Sequence, residues 1–375
     1  MNFRYTNEAM NRRQLLLSLA STPLLAQIPP PPTPVAAPEL DWHDAKKFTV
    51  EGLGFKDRKA PFDRLPGRAE GVVRPEVWNL SRDAAGVAVR FVAATTAIHA
   101  RWSVTSKSLA GANSTAIASS GLDLYARDDA GKWRWAGVGR ASKFPENTDV
   151  LITGIPATSR EFMLYLPMHN PVSSLEIGLP KGSTISAGPA RPVGRKPILF
   201  YGTSITHGFA ASRSGMTHVS MVGRTFDREV MNLGFSGNGK MEPEVVRFVA
   251  ELDPAVFVLD CLPNMTAKET AERIVPGVKI LREAHPQTPI LLVEDRVFDN
   301  SFLVQSRRDG HAKNHAALRA AFETLQAEKV PNLYYLKADE LLGHDGEATI
   351  DGSHPTDLGF ARQAAEFEKA LRPLL

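Results

Sequence analysis

Two short segments, far apart in the chain, carry residue types that together do nucleophilic chemistry. One is Tyr201-Gly202-Thr203-Ser204-Ile205-Thr206-His207-Gly208, and the other is Asp351-Gly352-Ser353-His354-Pro355-Thr356. A carboxylate three residues before a histidine on one turn can hold the imidazole from behind. An imidazole so held can take the proton of a serine hydroxyl, and the carboxylate then stabilises the imidazolium. Two further segments offer hydrogen-bond donors. Asn232-Leu233-Gly234-Phe235-Ser236-Gly237-Asn238-Gly239-Lys240 leaves backbone N–H groups open at its glycines. Asn264, in Asp260-Cys261-Leu262-Pro263-Asn264-Met265, can donate from its amide. Taken singly, each has a plain structural reading: a helix-capping serine, a turn asparagine, or an Asp-Gly turn with a surface histidine.

What sets these segments apart is where they fall. Apolar runs occur at Pro197–Tyr201, Val230–Leu233, Val256–Leu259, Ile290–Val293 and Leu333–Leu336, with helical stretches such as Lys268–Ala284 and Ala312–Ala327 between them. Continuous apolar strands alternating with helices predict a parallel sheet covered on both faces. Ligands of such sheets bind beyond the carboxyl ends of the strands. The Ser204, Gly237 and Asn264 segments follow the first three runs directly, and the Asp351–His354 segment precedes the last helix. Ser204 then opens a helix, where unpaired N–H groups suit a developing anion.

Ahead of this α/β domain (197–375) the period is two. Ile98, Ala100, Trp102 and Val104 interleave with His99, Arg101 and Ser103. Phe162, Leu164 and Leu166 interleave with Met163 and Tyr165, and Trp133 and Trp135 flank Arg134 after a turn at Asp128–Gly131. Short one-faced strands predict an antiparallel β-sandwich over 40–180. Residues 181–196, rich in Gly, Pro, Ser and basic side chains, read as a linker. No repeat of 33 to 45 residues is visible, which argues against a solenoid or propeller.

The chain has 375 residues, 43% hydrophobic and 23% charged, which suffices for a sizeable core. Lys and Arg number 44 against 41 Asp and Glu. Arg4, Arg12 and Arg13 against Glu8 take up much of the formal +3, so the body is near neutral and gives no electrostatic case for nucleic acid or a membrane surface. The single cysteine, Cys261, excludes an intrachain disulfide and a cysteine-based zinc site. Arg12-Arg13-Gln14 before the uncharged run Leu15–Ala26 reads as an export signal over 1–26, of twin-arginine type, too short for a membrane span. A stiff proline-rich spacer follows over 27–39.

Three other patterns compete. Gly234 to Gly239-Lys240 imitates a phosphate-binding loop, and Asp260 its acidic strand end, but Met241 stands where Ser or Thr must hold Mg²⁺. The Gly-x-Ser-x-Gly elbow of α/β-hydrolases fails at Thr206. His311 and His315 lie four apart on a predicted helix, yet no Glu follows His311, so a solvated helix face is expected. The tryptophans of the sandwich alternate like core residues, and burial is expected for Trp102, Trp133 and Trp135.

The four segments resemble the SGNH, or GDSL-type, hydrolase family, which has a serine, a glycine, an asparagine and Asp-x-x-His in successive blocks. The matching positions are Ser204, Gly237, Asn264, and Asp351 with His354. Gly121-Leu122-Asp123-Leu124-Tyr125 is similar to the GxDLY motif of a β-sandwich that precedes some SGNH esterase domains. Thr203, Leu262 and Met265 depart from the family pattern. The resemblance implies a three-layer, flavodoxin-like parallel sheet behind a jelly-roll-like sandwich. It implies Ser204 as nucleophile, His354 as base and acid, Asp351 as orienting carboxylate, and an oxyanion site made by Ser204, Gly237 and Asn264. No metal or organic cofactor is implied. The implied substrate is an ester, with O-acetyl groups on poly- or oligosaccharides foremost. A lipid or thioester acylhydrolase, or a non-catalytic carbohydrate-binding protein, are the alternatives. Arg213, downstream of Ser204, could bind substrate or stabilise its loop. No membrane segment is expected after signal removal, and the place of action is periplasmic or extracellular. The oligomeric state is not legible.

Overall fold

The computed structural model describes residues 39–375. The expected export signal and all of the proline-rich spacer except Glu39 lie outside the described residues.

The first half holds strands β1 (Leu40–Asp44), β2 (Thr49–Glu51), β3 (Ala88–Ala94), β4 (Ala97–Val104), β5 (Leu122–Arg127), β6 (Trp133–Gly139), β7 (Glu146–Thr153), β8 (Ser159–Tyr165), β9 (Val172–Pro180) and β10 (Thr184–Ala187). Short helices α1 (Pro75–Ser81) and α2 (Ala116–Ser120) interrupt them. The strands form two antiparallel sheets in the orders β1-β9-β4-β7 and β10-β3-β8-β5-β6, with β2 also on β3. Ile98, Ala100, Trp102 and Val104 point between the sheets against Phe91, Leu122, Leu124 and Leu164. Arg101 on the same strand is exposed, as the period of two requires.

The structure departs from the sequence reading in three places. β10 occupies the start of the expected linker and pairs with β3 in the register Thr184↔Ala94, extending a sheet edge that would otherwise be open. The stretch between β2 and β3 divides its side chains between two cores, with Phe62, Ala84 and Val87 joining the sandwich. Its Phe55, Leu65, Val73, Val77 and Trp78 pack beside Val245, Phe248 and Leu252 of the second half. Finally, Met163 and Tyr165 are as buried as their alternating partners, because the outer face of their sheet is covered by the second half rather than by water. The Arg224 guanidinium lies 4.0 Å from the centre of the Tyr125 ring on that face.

The second half carries β11 (Ile198–Gly202), β12 (Val230–Gly234), β13 (Val256–Asp260), β14 (Ile290–Val293) and β15 (Leu333–Leu336), all parallel, in the order β12-β11-β13-β14-β15. Helices α3 (Ser204–His207), α4 (His218–Thr225), α5 (Pro243–Ala250), α6 (Ala267–Ala284), α7 (Gln305–Ala327) and α8 (Asp357–Leu371) cover it. Val245, Ile274, Val278, Leu281, Leu318 and Leu325 close one face. Val219, Val222, Phe367 and Leu371 close the other. Both faces being dry, β11 and β13 are buried at every position, which is why they read as unbroken apolar runs. Among the described residues, no helix is long and apolar enough to cross a membrane.

Candidate active site

β11 ends at Gly202, and the chain turns at once into the single helical turn of α3. Thr203 caps that turn, its hydroxyl oxygen accepting the Ile205 N–H at 3.3 Å. A threonine therefore does the capping work open to an aspartate at this position, and the departure in the first block leaves the serine in place. Ser204 is the first residue of the helix and is only 7% exposed.

The last block folds into a tight loop held at its base by Ile350 N–H to the His354 carbonyl (2.9 Å) and Thr356 N–H to the Ala348 carbonyl (2.8 Å). Gly352 lies in it at φ +89°, a left-handed conformation that a side chain would strain. The loop puts Asp351 beside His354. Asp351 Oδ1 accepts the N–H groups of Ser353 (3.1 Å) and His354 (2.8 Å), and Oδ2 accepts from His354 Nδ1 at 2.7 Å. Partial burial pushes this carboxyl upward, but the bonds from His354 and Ser353 outweigh it and hold the group below the ordinary carboxylate range. With Nδ1–H given to Asp351, His354 presents its Nε2 lone pair to the Ser204 hydroxyl, 2.9 Å away. Serine, histidine and carboxylate thus stand in one hydrogen-bonded file, able to move a proton from hydroxyl to imidazole.

Gly237 sits in a turn closed by Asn238 N–H to the Phe235 carbonyl (2.8 Å), at φ +68°, and is exposed. Asn264 ends one 3₁₀ turn, Leu262–Asn264. Its Oδ1 accepts the Gly239 N–H at 3.3 Å, which ties the second block to the third and leaves the amide NH₂ as its unspent end. Phe235 N–H to the Gly202 carbonyl (2.9 Å) ties the second block to the first. Leu262 and Met265, the departures in the third block, are buried in the core beneath and do not displace Asn264.

One residue at the site was not foreseen. Asn113, from a loop of the sandwich, donates from Nδ2 to Asp351 Oδ2 at 3.4 Å. Thr115, two residues on, donates to the Ser212 carbonyl at 3.2 Å. An asparagine within Gly111-Ala112-Asn113-Ser114 carries no signal beyond that of a turn.

Arg213 is turned to a different partner. Its Nη1 donates to both oxygens of Asp123 (3.2 and 2.9 Å) and to the Tyr125 hydroxyl (2.6 Å). Asp123 also accepts the Gly215 N–H at 2.7 Å. These are the Asp and Tyr of the GxDLY motif, so the motif clamps the loop that leaves the nucleophile helix. Burial raises the Asp123 carboxyl, and Arg213 works against that rise.

The competing patterns resolve structurally. Asp260 is buried, accepts from Thr206 Oγ1 at 3.1 Å and pairs with Arg296, so it is spent inside the fold. His311 and His315 are not solvated: both are buried, with His311 Nδ1 3.1 Å from Asp295 and His315 Nε2 2.7 Å from the Asp295 carbonyl. Trp102 is buried as expected, Trp133 is half-buried, and Trp135 is 53% exposed because β6 is an edge strand. A shallow depression of about 430 Å³ lies beside Asp351, lined also by Asn300, Phe302, Thr349 and Ile350.

A hydrogen-bonded Ser-His-Asp file at the carboxyl edge of a flavodoxin-like sheet is the arrangement of an SGNH-type hydrolase. The family model described as the GDSL-like lipase/acylhydrolase family matches residues 195–372, and that described as the N-terminus of SGNH-hydro-type esterases matches 40–185. A GDSL-like lipase from Bacteroides ovatus is 34% identical in sequence, with a TM-score of 0.85 over 90% of this chain and 98% of its own. The chain belongs to this GDSL-like, SGNH hydrolase family. The salicylyl-acyltransferase SsfX3 from a tetracycline biosynthetic pathway shares the fold at 18% identity and TM-score 0.71, covering 89% of this chain and 97% of its own. A family two carbohydrate esterase from Cellvibrio japonicus shares it at 14% and 0.57, covering 90% and 98%. No curated protein matches the sequence.

Proposed function

We propose that the chain is an exported serine esterase that removes ester-linked acyl groups, O-acetyl foremost, from poly- or oligosaccharides. The observation that carries the reading is the file Ser204 Oγ–His354 Nε2–Asp351 at 2.9 and 2.7 Å. Ser204 attacks the ester carbonyl while His354 takes its proton. The oxyanion is received by the N–H groups of Ser204 and Gly237 and by the Asn264 amide. The acyl bond to Ser204 forms as the sugar alcohol leaves with the proton from His354. Water then repeats the sequence in reverse. The open depression beside Asp351 leaves room for a substrate larger than its acyl group, and the carbohydrate esterase that shares the fold supports a sugar ester. Export is supported by the Arg12-Arg13 pair ahead of its apolar run.

The test is acetate release across a panel of acetylated glycans together with p-nitrophenyl acetate turnover. Ser204→Ala is expected to lower turnover by on the order of 10⁴-fold or more. Equal turnover in that variant would remove Ser204 from the chemistry. A second reading, hydrolysis of longer acyl chains, is favoured by the exposed Phe302, Leu303 and Ile350, two of which line the depression. Rates that rise with chain length from acetyl to octanoyl select it.

A further inference from the structure

His207 closes the same helical turn that Ser204 opens, and it is fully buried. Around it, from the first half, stand Asp83, in the loop after α1, and His169, in the loop after β8. One ligand atom from each of the three lies within 4.8 Å of the other two. The imidazole centroids are 4.7 Å apart, and His207 Nε2 is 3.5 Å from Asp83 Oδ2 and 2.7 Å from the Met168 carbonyl. Both ring nitrogens of His169 and Nδ1 of His207 are buried with no hydrogen-bond partner. Three such nitrogens in one place are an anomaly, since buried polar atoms are almost always paired.

The neighbours bear on what could pair them. The buried Arg64 donates to the carbonyls of Leu80, Asp83, Asn232 and Gly234, leaving the Asp83 carboxylate to face the imidazoles. Neither ring nitrogen of His169 is spent on a partner, nor is Nδ1 of His207, so each ring has a nitrogen to offer a ligand. Arg64 opposes a cation, and the Asp83 carboxylate is the group that would offset that charge on binding one. Two neutral imidazoles and one carboxylate form the donor set that zinc-type ions favour. Hard cations such as Mg²⁺ or Ca²⁺ favour sites built of oxygen ligands.

We propose that Asp83, His169 and His207 bind one divalent transition-metal ion of the zinc class, which clasps the two halves together behind the nucleophile helix. It is a structural site. His169 packs tilted on Phe209 (ring centroids 4.1 Å apart), and Phe209 lies beside His354 (6.0 Å), which keeps the ion one aromatic layer away from the reacting histidine.

The test uses the untagged, full-length protein and the metal alone. Elemental analysis is expected to find about one equivalent of metal per chain. Chelation should lower the melting temperature, and excess zinc should restore it, a swing of roughly 5–10 °C. Cobalt(II) added to the stripped protein should give visible d–d absorption. His169→Gln should abolish all three responses, whereas the exposed His344→Gln should keep them. Ser204→Ala should also keep them, so the outcome does not depend on the esterase reading. The clasp is refuted if untagged wild-type protein holds no metal and its melting is unmoved by zinc, cobalt or nickel, the nitrogens then being paired by water. Metal retained in a folded His169→Gln protein refutes it equally.

Discussion

The rim of the parallel sheet and the seam between the two halves use the same residue types to opposite ends. At the rim, Asp351, His354 and Ser204 are joined in a file whose last proton is free to move. At the seam, Asp123 is saturated by Arg213 and Gly215, and Asp227 accepts from Arg127 and Arg191. A carboxylate that must orient a partner is left partly open to solvent. At the seam Asp123 is buried against arginine, while Asp227 is as open as Asp351 but paired with two arginines. The difference lies in the partner: Asp351 is bonded to an imidazole that can gain and lose a proton, whereas Asp123 and Asp227 are bonded to guanidiniums that cannot.

Substitutions should therefore separate the two regions, costing rate at the rim and stability at the seam. The largest effect on rate short of breaking the Ser-His-Asp file is expected from Asn264→Ala, which should lower kcat about 10²- to 10³-fold, while the lost bond from the Gly239 N–H should move the melting temperature by only about 2–4 °C. A normal kcat would place the oxyanion elsewhere. At the seam, Asp123→Ala leaves the part-buried Arg213 without its carboxylate and the buried Gly215 N–H unpaired, and should cost about 3 kcal/mol in urea unfolding. An unmoved denaturation midpoint would deny the GxDLY clamp its stabilising role. Asn113→Ala tests the bond that runs from the sandwich to Asp351, and its loss of about 0.5–1 kcal/mol should lower kcat about two- to five-fold with KM little changed. The smallest effect is a pH dependence. Burial works against the Asp227 charge, but Arg127 and Arg191 outweigh it and hold the carboxyl at about 2. Because this value lies below that of the unfolded chain, the stabilisation is present above about pH 4 and fades as the pH falls toward 2. The stability gap between wild type and Asp227→Asn should close over that window, and a constant gap would show that the charge does not matter.

Much of the rim could be read from sequence because its signals are local. Asp351 and His354 are three residues apart, and each remaining block follows an apolar strand whose two dry faces make it conspicuous. The seam could not be read, since its bonds join residues such as Arg64 and Asn232 or Asp123 and Arg213, far apart in the chain and in no fixed spacing. The stretch between β2 and β3 has neither period, so nothing in it announced that Phe55 and Trp78 belong to the other half's core. Amphiphilic side chains misled in both directions. His311 and His315 are buried where a wet helix face was expected, and Trp135 lies open where its alternation with Trp133 suggested core.

Ser204 and His207 share a helix only four residues long. A rotation of that turn which draws His207 away from the Met168 carbonyl must swing Ser204 out of line with His354. The front module is therefore no detachable accessory. Cutting it off, or grafting another in its place, would unseat the nucleophile, and engineers who wish to retarget this scaffold must transplant the two pieces as one cassette.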